Sequence, residues 1–130
     1  MLTAALLLAV TVLSVQGAAP EREPGRPFEM KPGETVTVRG VRITFDGVTE
    51  DSRCPTGAQC VWAGDAAAAF ALEKSPDAVR LTLHTSGRFQ QQAEFDGLVV
   101  RLEDVKPYPK LGQTIARADY RATLLVSRRR

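Results

Sequence analysis

The sequence predicts an all-β protein: a single antiparallel sandwich of seven or eight strands that follows an N-terminal signal peptide. Three observations support this prediction. The chain of 130 residues has room for one domain. Short runs of alternating apolar and polar residues recur along it, which is the pattern of half-buried strands. Turn-forming residues separate these runs at the spacing that is typical of sandwiches and barrels.

The N-terminal segment is almost wholly apolar. Residues 2–15 contain only three polar side chains, two threonines and a serine. A run of this length is short for a membrane span, which needs about 20 residues, and is typical of the apolar centre of a secretory signal. Val15 and Gly17 are small enough for the signal-peptidase groove if cleavage follows Gly17. We therefore predict a signal peptide over residues 1–17, with an uncleaved anchor or a buried helix as the alternative.

The rest of the chain divides into three parts. Residues 18–27 are rich in Pro, Gly and charge and predict a flexible tether. We predict the sandwich domain over residues 28–127 and a solvated basic tail at the three arginines, 128–130. The net charge of +2 comes from 17 Lys and Arg against 15 Asp and Glu. Without the three arginines of the tail, 14 basic residues remain against 15 acidic ones, so the excess of positive charge lies in the tail. With aromatic residues at only 6%, we expect no nucleic-acid partner.

Alternation locates most strands of the predicted sandwich. Apolar side chains occupy every second position in runs around residues 41–45, 79–83, 98–102 and 120–126. Arg39-Gly40 is typical of a hairpin turn, and Asp96-Gly97 is a further turn signal. Ala66–Lys74 has helical propensity, but Gly and Pro lie close to its two ends, and we predict a buried strand there. The predicted core is Val41, Ile43, Phe45, Trp62, Phe70, Leu81, Leu83, Leu98, Val100, Leu102, Leu124 and Val126.

Cys54 and Cys60 are the two cysteines of the chain. In an exported protein an even cysteine count favours a disulfide, and the Pro and Gly between these two suit a tight ring. Closing so short a loop contributes only about 2 kcal/mol, so the bond shapes the loop more than it holds the fold. A metal site, a redox pair and a free catalytic cysteine are weaker alternatives, because their usual spacings and histidine partners are missing.

Two short motifs flank the cysteines: residues 51–55 read DSRCP and residues 60–64 read CVWAG. With these motifs the chain resembles a family of small exported bacterial proteins that carry DSRCP, a four-residue spacer and C-[VI]-W-A-G. The resemblance covers most of the mature domain, although only the cysteine region is specific. It implies a small secreted or lipid-anchored β domain and carries over no catalytic residue. Unlike the lipid-anchored relatives, this chain has no cysteine near the predicted cleavage position.

Several side chains of the motifs have predictable local roles. We expect Asp51 to accept a backbone N–H bond from the residue two positions on, and Arg53 to pair with Asp51 or with Asp65. Trp62 follows Cys60 closely and is predicted to cover the disulfide with its apolar face. Gly64 is predicted to permit a close approach of two backbone segments or a positive φ.

The loop over residues 51–64 is the predicted contact surface of a binding module. A loop closed by a disulfide loses little entropy when it binds, so we predict an exported, non-catalytic interaction module of the bacterial envelope or exterior. The partner we expect is an envelope or extracellular protein. The candidate binding residues are Asp51, Arg53, Pro55, Gln59 and Trp62. The alternative is a secreted protease inhibitor that inserts Arg53 or Gln59 into the specificity pocket of a serine protease.

Catalysis is not predicted. His84, the only histidine, lies at an outward position of an alternating run, and the chain contains neither G-x-S-x-G nor S-x-x-K. Adjacent carboxylates such as Glu50-Asp51 and Glu103-Asp104 point to opposite faces of a strand and would not converge. We therefore expect no enzyme, no metal site and no cofactor, and no membrane span once the signal is cleaved.

Overall fold

A computed structural model describes residues 10–13 and 19–130. That part of the chain forms eight strands in two antiparallel sheets of four strands each, packed as a sandwich. The strands are β1 (Phe28–Met30), β2 (Thr35–Val38), β3 (Val41–Asp51), β4 (Ala66–Lys74), β5 (Asp77–His84), β6 (Gln92–Phe95), β7 (Leu98–Lys106) and β8 (Arg121–Arg128). A single turn of 3₁₀ helix, Arg117–Asp119, precedes β8. The predicted all-β sandwich is confirmed.

The two sheets have different connectivities. One is the meander β2-β3-β4-β5, and the other has the order β1-β8-β7-β6. The β2–β3 hairpin turns at Arg39 and Gly40, with φ of 47° and 81°, and the β6–β7 hairpin turns at Asp96 and Gly97, with φ of 47° and 76°. Positive φ at both central residues is the type I′ geometry that matches the twist of the flanking strands. Both predicted turns are confirmed.

The core lies between the two sheets. Phe45 on β3 and Phe70 on β4 are cross-strand partners whose ring centroids lie 5.2 Å apart. Most of the predicted core is buried as expected. Leu81 packs against the core but is only partly buried, because β5 is an edge strand. The prediction that Trp62 belongs to the core is wrong, since this side chain is 72% exposed.

The alanine-rich run over Ala66–Lys74 forms a strand, as predicted, despite its helical propensity. It pairs with β3 along its whole length, and β3 has register shifts between Phe45 and Gly47 and between Val48 and Glu50. Such bulges bend and twist a strand. Pairing on both sides, with β3 and with β5, overrides the local preference for a helix.

The segment predicted as a flexible tether is fixed to the sandwich from Pro20 onward. The amide of Thr37 donates to the carbonyl of Pro20, and the amide of Arg22 donates to the carbonyl of Thr37, both over 2.8 Å. The amide of Gly25 donates to the carbonyl of Val126, also over 2.8 Å. The tether prediction is wrong for this stretch, because its backbone groups cover the edge of β2.

The basic tail is likewise shorter than predicted. Arg128 belongs to β8 and pairs with Leu98. The amide of Arg129 donates to the carbonyl of Gly97 over 2.8 Å, and its guanidinium lies 3.3 Å from the carboxylate of Glu94. Strand pairing therefore continues into the arginine run, while the side chains of all three arginines stay exposed to solvent.

The predicted signal peptide over residues 1–17 lies outside the described residues except for 10–13. Those four residues have no regular secondary structure. Within the described parts of the chain, no helix is long and apolar enough to cross a membrane.

Candidate functional site

Three loops meet at one end of the sandwich: the β3–β4 loop (residues 52–65), the β5–β6 loop (85–91) and the β7–β8 loop (107–120). Hydrogen bonds join the first loop to the other two. The amide of Ser86 donates to the carboxylate of Asp65 over 2.9 Å. The amide of Thr56 donates to the carbonyl of Pro109 over 2.9 Å, and the amide of Leu111 donates back to Thr56 over 3.1 Å. The β3–β4 loop is therefore held between its neighbours.

A buried ion pair anchors the β3–β4 loop. The guanidinium of Arg53 donates two hydrogen bonds to the carboxylate of Asp51, over 2.7 and 2.8 Å, and two further N–H groups donate to the carbonyls of Val105 and Pro107 at the end of β7. The hydroxyl of Tyr120 donates to the same carboxylate over 2.9 Å. The pair thus joins the ends of β3 and β7 to the start of β8, and so links the two sheets.

The hydrogen bonds around the ion pair shift the pKa values of Asp51 and Tyr120. Burial raises the pKa of Asp51, but the hydrogen bonds from Arg53 and Tyr120 outweigh burial and hold that pKa below its ordinary value. Burial and the bond to the Asp51 carboxylate both raise the pKa of Tyr120. Asp51 is therefore ionised and Tyr120 is neutral near neutral pH, which is the arrangement their hydrogen bond requires.

The ion pair confirms two predictions and corrects a third. The amide of Arg53 donates to Asp51 over 3.3 Å, and Arg53 pairs with Asp51 rather than with Asp65. Arg53 is only 8% exposed, however, and four of the five N–H groups of its guanidinium donate hydrogen bonds within the fold. A side chain held inside the fold in this way is not extended for insertion into a protease pocket, which corrects the inhibitory role predicted for Arg53. The inhibitor hypothesis is left with Gln59, which is exposed.

The disulfide between Cys54 and Cys60 is present, with the two Cα atoms 5.9 Å apart. Pro55 lies half-buried in the ring that it closes. Gly64 lies against the backbone of Ser52, where an added Cβ would collide with the main chain. The predicted close approach at Gly64 is confirmed, and it brings the two ends of the loop together.

Beside this contact lies a second polar network centred on Asp65. Its carboxylate accepts from the ring of His84 over 2.6 Å and from the amide of Ser86 over 2.9 Å. Its backbone exchanges hydrogen bonds with Ser52, whose hydroxyl also takes part. His84 is a cross-strand residue, as its place in the alternation predicts, and its ring lies 4.9 Å from that of Phe89. The network fixes the start of the β5–β6 loop against the β3–β4 loop.

An aromatic groove of about 180 Å³ opens above this network. Trp62 and Phe89 line it and are 72% and 52% exposed. Arg88 and Asp65 supply its charged groups. Trp62 is largely exposed, as are its neighbours Val61 and Ala63, so its side chain is not buried in the loop.

Further exposed apolar side chains lie in the same loops. Val61, Tyr108 and Leu111 are 91%, 54% and 61% exposed. Within the described part of the sandwich, Val79 on β5 is the other large apolar side chain with comparable exposure, at 39%. On the sandwich, over residues 19–130, exposed apolar surface is therefore concentrated at the loop end, which is the pattern of an interaction site.

Phe89, Tyr108 and Leu111 are site residues that the sequence analysis did not predict. The two aromatic residues each had a weak signal. Phe89 follows Ser86-Gly87, and Tyr108 lies between two prolines, so both aromatic rings occur where the chain leaves a strand. An aromatic residue in a turn has no sheet neighbour to cover it, and exposure is the expected result.

No family model, no curated protein and no solved structure matches this chain. Across residues 10–13 and 19–130, no group of three or more His, Cys, Asp or Glu side chains is placed to hold a metal ion.

Proposed function

We propose that this protein is an exported, non-catalytic binding module that contacts an envelope or extracellular protein through the loops at one end of its sandwich. The main support is Trp62, the only tryptophan of the chain, which is 72% exposed in a groove shared with Phe89. Tryptophan is enriched among the residues that dominate binding energy, because its burial removes a large apolar surface from water. Such exposure has no role in the fold.

The rigidity of the loops supports the same proposal. The disulfide, the bonds of Thr56 to the β7–β8 loop and the Asp51–Arg53 pair each restrain the loop that carries Trp62. A surface that is ordered before binding loses less entropy on binding. The disulfide also supports export, since such bonds persist in oxidising compartments. The likeness of DSRCP and CVWAG to the motifs of small exported bacterial proteins points the same way.

Crosslinked capture from a cell-envelope extract tests the proposal. The mature protein is compared with Trp62→Ala and with Val79→Ala, which removes an exposed apolar side chain of β5 that lies outside the three loops. We expect one partner to be captured by the native protein and by Val79→Ala and to be lost with Trp62→Ala. That partner must then bind when purified. Equal capture by all three proteins would contradict a contact through Trp62.

A further inference from the structure

We propose that the groove lined by Trp62 and Phe89 binds the C-terminal residue of a partner polypeptide, with its apolar side chain against the two rings and its carboxylate on Arg88. This inference rests on the proposed function, because it names the part of the partner that the loops recognise. Its support comes from the size, the apolar lining and the charge of the groove.

The size of the groove limits the ligand. Its volume of about 180 Å³ lies below the lower end of drug-sized pockets, about 300 Å³. It therefore takes a single side chain with its adjoining backbone and leaves the rest of a polypeptide outside. Ala63 and Gly64 also line it, and they keep the floor between the rings free of long side chains.

The rings are backed by fixed neighbours. Phe89 packs on His84, with ring centroids 4.9 Å apart, and His84 is held by the Asp65 carboxylate 2.6 Å away. The amide of Phe89 also donates to the carbonyl of Ser86 over 3.1 Å. Phe89 is thus positioned before any ligand arrives.

The charges select an anion. The Asp65 carboxylate is already engaged by His84 and by the amide of Ser86. Arg88 is one of the residues that line the groove, and its guanidinium forms no ion pair and no hydrogen bond within the part of the chain that the structure describes. Arginine binds carboxylates through two parallel N–H bonds. The open charge of the groove is therefore positive and suited to a carboxylate.

A chain terminus combines both requirements on one residue. Its side chain and its carboxylate leave the same Cα atom, so the two lie within a few bonds of each other. An internal residue of a peptide would offer the apolar side chain without the charge. A neutral sugar would stack on the rings but would likewise leave Arg88 without a counter-ion. The C-terminal residue of a polypeptide fits the lining better than either.

Matched peptides test the inference. Acetyl-Gly-Gly-Phe with a free carboxylate is titrated into the protein, with its C-terminal amide and acetyl-Gly-Gly-Gly as comparisons, and Trp62 fluorescence is followed. We expect the free acid to bind about tenfold more tightly than the amide, the scale of one charge-assisted contact. Acetyl-Gly-Gly-Gly should bind more weakly than both. Arg88→Gln should abolish the preference for the acid, whereas Arg80→Gln, a change of an exposed arginine on β5, should leave it intact.

Two results would overturn the inference: equal affinity for acid and amide, or no binding of any peptide at millimolar concentration. Methyl glucoside is included as a separate probe, and a Trp62 response to it in place of the acid would identify a sugar site instead. These failures differ from failure of the proposed function. If Trp62→Ala still loses the captured partner while the peptide tests fail, the loops bind a protein but recognise a part of it other than its C-terminal residue.

Discussion

The guanidinium of Arg53 lies against the ring of Tyr108, with its central carbon 5.3 Å from the ring centroid. Arg53 is buried and Tyr108 is half exposed, so this contact joins the internal ion pair to the surface of the loop end. Cation–π contacts of this kind favour one ring position over others. The buried pair and the exposed aromatic residues therefore belong to one connected structure.

Asp51→Asn should destabilise the protein strongly. The change leaves the guanidinium of Arg53 buried without its counter-ion, and breaking a buried pair in this way costs about 3 kcal/mol. Urea denaturation followed by circular dichroism measures the change in the free energy of unfolding. Asp96→Asn is the matched control, because it removes an exposed pair with Lys74 and should cost less than about 1 kcal/mol. Equal costs for the two variants would contradict the anchoring role of the buried pair.

The stability that Asp51 provides should disappear in acid. The pKa of Asp51 is lowered in the folded protein, with the hydrogen bonds from Arg53 and Tyr120 outweighing burial. A carboxyl whose pKa falls on folding contributes its stability above its unfolded pKa, about 3.9, and loses it as the pH falls through the folded value. Unfolding free energies of the native protein and of Asp51→Asn should therefore differ by a constant amount above about pH 5, begin to converge below about pH 4 and meet only below the folded pKa. A difference that does not shrink in acid would exclude this linkage.

Gly64→Ala should prevent the loop from closing as it does in the native fold. The added methyl group would collide with the main chain of Ser52, so the two ends of the β3–β4 loop must separate. We expect a loss of more than about 3 kcal/mol in unfolding free energy, in the range of severe overpacking and lost contacts. Gly87→Ala is the control, because a methyl group there meets nothing closer than a side-chain oxygen of Gln91 at 3.8 Å. It should change stability by less than about 1 kcal/mol.

Replacing both cysteines with serine should weaken the protein moderately and leave it folded. The closed ring is short, and its loss costs about 2 kcal/mol in the chain-entropy account. The bonds of Thr56 to the β7–β8 loop still hold the segment in place. Thermal unfolding checks the stability, and partner affinity should fall because the loop becomes less ordered. Complete unfolding of the double variant at room temperature would show that the disulfide holds the fold itself.

Much of the fold was predictable from local sequence, and part of the site was not. Alternation and the Arg39-Gly40 and Asp96-Gly97 turns depend on neighbouring residues alone, and they predicted the sandwich correctly. The inward position of Arg53 depends on the carbonyls of Val105 and Pro107, more than fifty residues further along the chain. Trp62 is exposed in the folded loop, and nothing in the motif itself indicates this outcome.

The solvent exposure of Trp62 in the free protein and in its complex is the most direct test of the binding proposal. Biosynthetic incorporation of 5-fluorotryptophan labels this one position, since the chain has a single tryptophan. The fluorine resonance should show strong solvent exposure in the free protein, in line with a side chain that is 72% exposed. We predict that the captured partner removes this exposure. A complex in which Trp62 stays as exposed as in the free protein would contradict the proposal that the loop end is the binding site.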